Sequence, residues 1–354
     1  MKNLELQDID NHKLMYHPTR VSEWLEKQDC SPIYVEFGLT NICNHHCSFC
    51  ALDYLENGKK YFDSKLMIST LEEMSKMGVR SVMFAGEGEP LLHKEIGKFV
   101  YSAKNLGLDV SITTNGVGFN QQKIENILPY LSWVRISLDS GSAENYALMH
   151  GTHPRDFERV IKNLRGMVDF KRKNNLEVTI GTQFLVTNQN MGEASKLAKI
   201  LENVGVDNLQ IKPYSHHPNS LNNLSVEKGY YEILEKELKE LNTKNFKTIF
   251  RGETQKRIDL GINYERCLGL PFFTLIDAGG NVMPCNLYYD NKEFSYGNLN
   301  GNSFSEIWNG KQRQEVIKKI NEKGVSECRK GCRLDVINRY LDRLKNPLAH
   351  DNFI

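Results

Sequence analysis

Residues 33–50 read IYVEFGLTNICNHHCSFC. Ile33–Gly38 is rich in β-branched and aromatic residues and reads as a strand. The loop after it sets Cys43, Cys47 and Cys50 at gaps of three and two residues. Three thiolates in one such loop suit a [4Fe–4S] cube that keeps one iron without a protein ligand. An iron with an open position is a reaction site, whereas a closed cube stores electrons or staples the chain. Four more cysteines, Cys267, Cys285, Cys328 and Cys332, lie in the last quarter and are enough to close a second cube. Structural zinc prefers paired knuckles arranged as a foursome, and the first set has no partner pair. Cys30 precedes the strand, at the sheet edge opposite the loop, where a reduced thiol is usually inert.

The totals leave room for this chemistry and remove other classes. At 354 residues the length favours two units with ample core. Charged residues make up 25%, apolar ones 40%, and the net charge is +1. No long run of like sign marks a nucleic-acid footprint. The start, MKNLELQDIDNHK, has no apolar signal region, and no stretch nears the roughly 20 apolar residues of a membrane span. Eight cysteines in such a chain point to a reducing cytoplasm, where these spacings read as metal sites before disulfides.

Working outward, strand patterns recur at Ser81–Ala85, Asp109–Thr113, Trp133–Leu138, Glu177–Val186 and Asn208–Lys212. Helical periodicity falls between them at 64–77, 94–106, 121–131, 157–173 and 191–204. Strand–helix units in series argue a parallel sheet with right-handed crossovers. Six units form a partial (β/α)6 barrel rather than a closed one, with reactive groups at the carboxyl ends of the strands. The units are then an extension over 1–31, the barrel over 32–213, a linker and connecting helix over 214–263, and a small α+β domain over 264–354. That last part shows a hairpin, Phe272–Asp277 with Val282–Pro284, and then helices.

These residues together resemble the radical S-adenosylmethionine (SAM) superfamily, and the C-terminal part resembles its SPASM/twitch branch. The cysteine loop with Phe49 before its last cysteine is the family's most specific mark. AGEGEP at 85–90 resembles the family's GGEP segment, with Glu87 in place of the first glycine. The resemblance implies that Gly88 and Glu89 meet the methionyl amino group, and that Thr114, Asn115 and Ser137 meet ribose and carboxylate. It places Ile211 against adenine. Each piece alone has a plain reading, as a turn, a helix cap or a buried hydroxyl. Their order, one per successive strand end, carries the resemblance. Cys267, Gly280 and Cys285 follow the family's hairpin pattern, and Cys328 and Cys332 close the set. A full SPASM domain holds two auxiliary clusters; the four cysteines here match the shorter twitch form with one. His45 and His46 read as loop-surface residues.

The family chemistry implies two [4Fe–4S] clusters, SAM, and an external electron donor of flavodoxin or ferredoxin type. Cleaved SAM yields a 5′-deoxyadenosyl radical that takes a hydrogen atom from the substrate. A fully ligated second cluster is suited to accept the remaining electron, which favours dehydrogenation of an alcohol. Twitch members include such a dehydrogenase acting on an aminocyclitol. Asp139 and His216 are the candidates for proton transfer, since a base must reach the bond being oxidised. Lys212, Tyr214, His217, His150 and Arg155 are further candidates for substrate contact. Only about 31 residues precede the first strand, which does not fit a fused leader-binding domain. The expected substrate is therefore a small polar molecule: a sugar, nucleotide-sugar or aminocyclitol. Neutral net charge gives no sign of a strongly anionic one. The alternatives are an epimerase, a peptide-modifying maturase and, outside enzymes, an iron–sulfur electron carrier or a zinc-stapled binding module.

Overall fold

The computed structural model describes residues 10–56, 58–227 and 229–353. The six strand patterns form parallel strands β1 Tyr34–Gly38, β2 Ser81–Ala85, β3 Asp109–Thr114, β4 Trp133–Ser137, β5 Thr179–Val186 and β6 Asn208–Pro213. Ahead of them lies α1 Pro18–Lys27, and between them α2 Ser64–Lys76, α3 Ile96–Asn105, α4 Gln121–Ile127, α5 Ala143–His150, α6 Pro154–Lys173 and α7 Glu193–Val204. Helix α5 is an addition to the sequence reading. Its apolar residues form no single stripe: Leu148 is exposed while Tyr146 and Met149 are buried.

The stretch 214–263 contains more than a linker and one helix. It holds α8 Tyr230–Lys239, a seventh parallel strand β7 Lys247–Phe250, and α9 Gly252–Leu260. Four residues led by a lysine are too few to show a period, so β7 has no signature of its own. The C-terminal part supplies β8 Phe273–Ile276, β9 Asn281–Met283, β10 Gly297–Asn298, α10 Phe304–Asn309, α11 Lys311–Lys323 and α12 Asp335–Lys345. Strand β8 lies parallel to β1, with Tyr34 beside Phe273 and Phe37 beside Ile276. One sheet therefore runs β10-β9-β8-β1-β2-β3-β4-β5-β6-β7.

Side chains alternate across these strands and divide the interior in two. Val35, Phe37, Val82, Phe84, Val110, Ile112, Val134, Ile136, Leu209 and Ile211 belong to the buried apolar core that the helices cover. Their alternates include Tyr34, Glu36, Met83, Thr113, Arg135, Gln183 and Lys212, which register across β1–β6 on the inner face. The inside of this partial barrel is polar. Among the described residues, no helix is long and apolar enough to cross a membrane.

The C-terminal helices are locked to the start of the barrel by Arg313, whose side chain is fully buried. Its guanidinium donates to Asp29 Oδ2 and Oδ1 at 2.8 and 2.6 Å and lies 3.8 Å from the Trp308 ring centroid. Removing it strands a half-exposed carboxylate and opens space beside Trp308. Arg313→Ala is expected to cost about 2 kcal/mol of unfolding free energy, read from the denaturant midpoint.

Candidate functional site

The cysteine loop leaves β1 at Gly38 and is tied to the carboxyl end of almost every barrel strand. After β2, Glu89 N donates to Ile42 O at 2.9 Å. Gly88 lies so close beneath the loop that a Cβ there would stand 2.3 Å from Thr40 O. After β3, Asn115 Nδ2 donates to Asn44 Oδ1 at 2.8 Å. At the end of α5, His46 N and Ser48 N donate to His150 O and Met149 O. There Gly151 takes φ +55°, and a Cβ would stand 2.2 Å from His46 O, so both conformation and space demand glycine. After β6, Asn222 Nδ2 donates to Cys50 O at 3.2 Å.

The Glu89 carboxylate organises this edge. Its Oε1 accepts from Leu91 N and Thr114 Oγ1 at 2.9 and 2.5 Å, and its Oε2 from Asn115 N at 2.8 Å. Burial raises its pKa, and these donors oppose the rise. Glu87, the departure from GGEP, turns the other way and accepts from Ala278 N at 2.8 Å, joining β2 to the C-terminal hairpin.

His45 is not a loop-surface residue as the sequence suggested. Its side chain is fully buried, 3.7 Å from Asp156 Oδ2 and 5.5 Å from the His150 ring. Burial first, and then His150, lowers its pKa to about 4, so it is neutral. His46 does face solvent. The sequence held no signal for the difference, because α5 and α6, which cover His45, lie a hundred residues on. His150 is equally buried: Nδ1 lies 3.6 Å from Cys47 Sγ and Nε2 lies 3.3 Å from Asp139 Oδ2. The donor atoms of His45, Cys47 and His150 all fall within 4.8 Å of one another. Two imidazoles thus back one thiol of the trio as outer partners, an arrangement that orients a metal ligand.

Beside the loop opens a cavity lined by Phe49, Cys50, Ser137, Asp139, Gln183, Lys212, Tyr214, His217 and Arg329, among others. Asp139 is buried on its wall, with Oδ1 accepting from Leu185 N at 2.5 Å. His216 is exposed and points to Tyr214 OH rather than into the cavity, and its neighbour His217 takes the wall position. His217 stacks on Tyr54 at 5.6 Å; burial, then Arg329, lowers its pKa to about 4. Arg155 is exposed at the start of α6. Ile211 lies fully buried in the helix-side core, on the alternate face of β6 from Lys212. Gly88, Glu89, Thr114 and Asn115 gather at the loop, and Phe49 and Ser137 at the cavity.

All eight cysteines are free among the described residues. Burial raises every thiol of both sets. In the second set Cys285 is pushed to about 12 and Cys332 to about 11, and Cys267 feels Cys332, Cys285 and Cys328 in turn. Asn338 Nδ2 lies 3.5 Å from Cys267 Sγ and its Oδ1 accepts from Gly269 N. Half-buried thiols whose ionisation is held back need a cation to become thiolates, so three here and four there fit iron–sulfur clusters. Cys30, by contrast, faces Pro271 O at the far edge, its pKa pushed to about 12 by burial.

Two outcomes are expected. Anaerobically reconstituted protein should carry about eight irons, falling to about four when Cys43, Cys47 and Cys50 are replaced by alanine, read by metal analysis. Desolvation of its carboxyl pushes the Glu87 pKa up to about 7 from an ordinary 4.5. Between those values the folded chain keeps a proton that the unfolded chain has lost, so stability falls as pH rises through that window and then levels. Glu87→Gln should remove this decline and raise stability at pH 8 by on the order of 1–3 kcal/mol, measured by melts at pH 5 and 8.

Residues 38–201 match the family model of the radical SAM superfamily, and residues 267–333 that of an iron–sulfur cluster-binding domain, SPASM. A protein of Saccharolobus islandicus named "Probable GTP 3',8-cyclase" is 31% identical over 189 residues, 53% of this chain and 58% of its own length. An S-adenosylmethionine-dependent nucleotide dehydratase of Lacinutrix mariniflava is 32% identical over 116 residues, 31% of this chain and 24% of its own. The chain thus spans little more than half the length of the first of these curated relatives. Streptococcus suis SuiB bound to S-adenosylmethionine superposes with a TM-score of 0.67 at 17% identity, covering 94% of this chain and 79% of that one. AdoMet-bound anSMEcpe gives 0.60 at 17%, over 90% and 100%. At such identities the likeness is one of fold. The two domains imply SAM and two [4Fe–4S] clusters, one that binds SAM and one auxiliary. On the matched domains and the two thiol sets together, the chain belongs to the radical SAM superfamily, in the branch that carries a SPASM-type auxiliary-cluster domain.

Proposed function

We propose that the cavity beside Phe49 holds a small polar substrate and that the enzyme oxidises an alcohol carbon of it. The observation that carries this is the cavity's position between the two thiol sets: Cys50 is on one wall, and Arg329, next to Cys328, is on another. When bound, SAM with the first cluster supplies the hydrogen-atom acceptor, and the second cluster supplies an acceptor for the remaining electron. An external donor of flavodoxin or ferredoxin type returns electrons to the first cluster.

The chain's own residues do the rest. Asp139 is held by Leu185 N through Oδ1, which leaves Oδ2 to take the hydroxyl proton. His150, 3.3 Å away, fixes that oxygen's direction. Ser137 and Gln183, paired across β4 and β5, offer hydroxyl and amide groups for orientation. Phe49 and Leu185 keep water from the reacting carbon. One hydrogen atom, one proton and one electron leave the carbinol, and a carbonyl remains.

The names of the curated relatives support a second reading, a redox-neutral rearrangement or dehydration of a nucleotide in the same cavity. Product mass separates the two. With reduced, reconstituted enzyme and a panel of polyols, sugar nucleotides and nucleotides, oxidation predicts a product two mass units lighter for each 5′-deoxyadenosine released. A product of unchanged mass, or one lighter by water, sinks the oxidation. Asp139→Asn is expected to lower product formation roughly 100-fold. Replacing Cys267 and Cys328 by alanine should leave 5′-deoxyadenosine release measurable while the oxidised product is lost.

A further inference from the structure

Lys212 and Arg329 line this cavity, and three further basic side chains, Arg135, Arg251 and Arg333, act on Lys212 from nearby. Lys212 is surrounded by the charges of Arg329, Arg251, Arg333 and Arg135, and burial together with those charges holds its pKa well below the ordinary lysine value. Arg333 is matched by Glu36 and Tyr34 OH. Arg251 is matched by Asp10 at 3.3 Å. The other three have no carboxylate within ion-pair distance among the described residues. Arg135 Nε is buried without a hydrogen-bond partner, and its guanidinium lies 4.6 Å from the Trp133 ring. Among the described residues, Arg329 donates only to Ser215, to O at 2.6 Å and to Oγ at 3.3 Å. The wall's one carboxylate, Asp139, is turned to Leu185 N and His150.

Half-burying basic groups without a counter-charge costs stability, and such groups persist where a ligand uses them. The cofactors do not use all of them. Arg329 also feels Cys332, so the auxiliary thiolates offset part of its charge. Lys212 and Arg135 have no such neighbour. SAM carries an ammonium and a sulfonium against one carboxylate, and this net positive charge offsets the net negative charge of a cube held by three thiolates, so the pair supplies no surplus anion. A neutral sugar leaves Lys212 and Arg135 unmatched, and a lone carboxylate matches only one of them. A phosphate, with nearly two negative charges and several acceptor oxygens, matches both. The donors stand ready for it: Lys212 as a point charge, the Arg329 fork, and the amide of Gln183 on the next strand.

We propose that the substrate is a phosphorylated small molecule whose phosphate seats against Lys212 and Arg329, with Arg135, one inward step below Ser137 on β4, supplying charge from beneath. This rests on the cavity being the substrate site, as proposed above, and not on the reaction being an oxidation.

The test needs no turnover. Reconstituted, SAM-loaded protein is titrated calorimetrically with inorganic pyrophosphate and, separately, with succinate. Pyrophosphate should bind, and succinate should bind at least about tenfold more weakly. Lys212→Met and Arg329→Gln should each weaken pyrophosphate by about tenfold or more, and Lys212→Arg should retain it. Lys212→Met should also raise the Tm, because a half-buried amine without a counter-charge leaves the cavity wall. Absence of pyrophosphate binding, equal binding of succinate, or binding unchanged in both variants would overturn the assignment. Pyrophosphate binding through these residues with a product of unchanged mass would overturn only the oxidation. Oxidation of a neutral polyol by protein that ignores pyrophosphate would overturn only the phosphate.

Discussion

The Glu89 carboxylate is the constraint on which the reactive edge depends. One buried group accepts from the loops after β2 and β3, while its own backbone N–H holds the cysteine loop after β1. A carboxylate is suited to this because it accepts several short bonds from rigid donors at once. With those bonds made, three chain segments far apart in sequence share one geometry. An open iron position of the kind proposed for Cys43, Cys47 and Cys50 is only useful if the loop that carries them is held still. Gly88 and Gly151 serve the same end by letting backbone approach backbone where a Cβ would intrude.

Charge is distributed with equal economy. The chain is almost neutral as a whole, with a net charge of +1, yet the inner face of the partial barrel concentrates cations. Acids that would balance them are committed elsewhere: Glu36 to Arg333, Asp10 to Arg251 and Arg257, Glu89 to backbone. The cavity is therefore far more basic than the near-neutral composition conveys, and a low-dielectric wall sharpens its field.

Much of this was legible before any coordinates. The six strands fell within a residue or two of their expected places, because each is a β-branched run bounded by turns. The metal-ligand candidates were legible because cysteine spacing is a chemical signature that survives without context. Other features carried no local mark. Strand β7 is too short to show a period. Helix α5 lacks a single apolar stripe. Whether His45 or His46 is buried, and whether His216 or His217 faces the cavity, depends on which neighbour the tertiary packing covers, and adjacent identical residues cannot encode that locally. Ile211 illustrates the same limit: on a strand, one position's shift exchanges core for cavity. The cation cluster was invisible because residues 135, 212, 251, 329 and 333 meet only in three dimensions.

The pairing of β8 with β1 fixes the two thiol sets relative to one another. The carrier of the second thiol set is not a lobe on a tether; it is hydrogen-bonded into the same sheet as the strand that launches the first set. A hinge between them would have to tear a parallel ladder. The spacing between the two thiol sets is thereby indexed by backbone register.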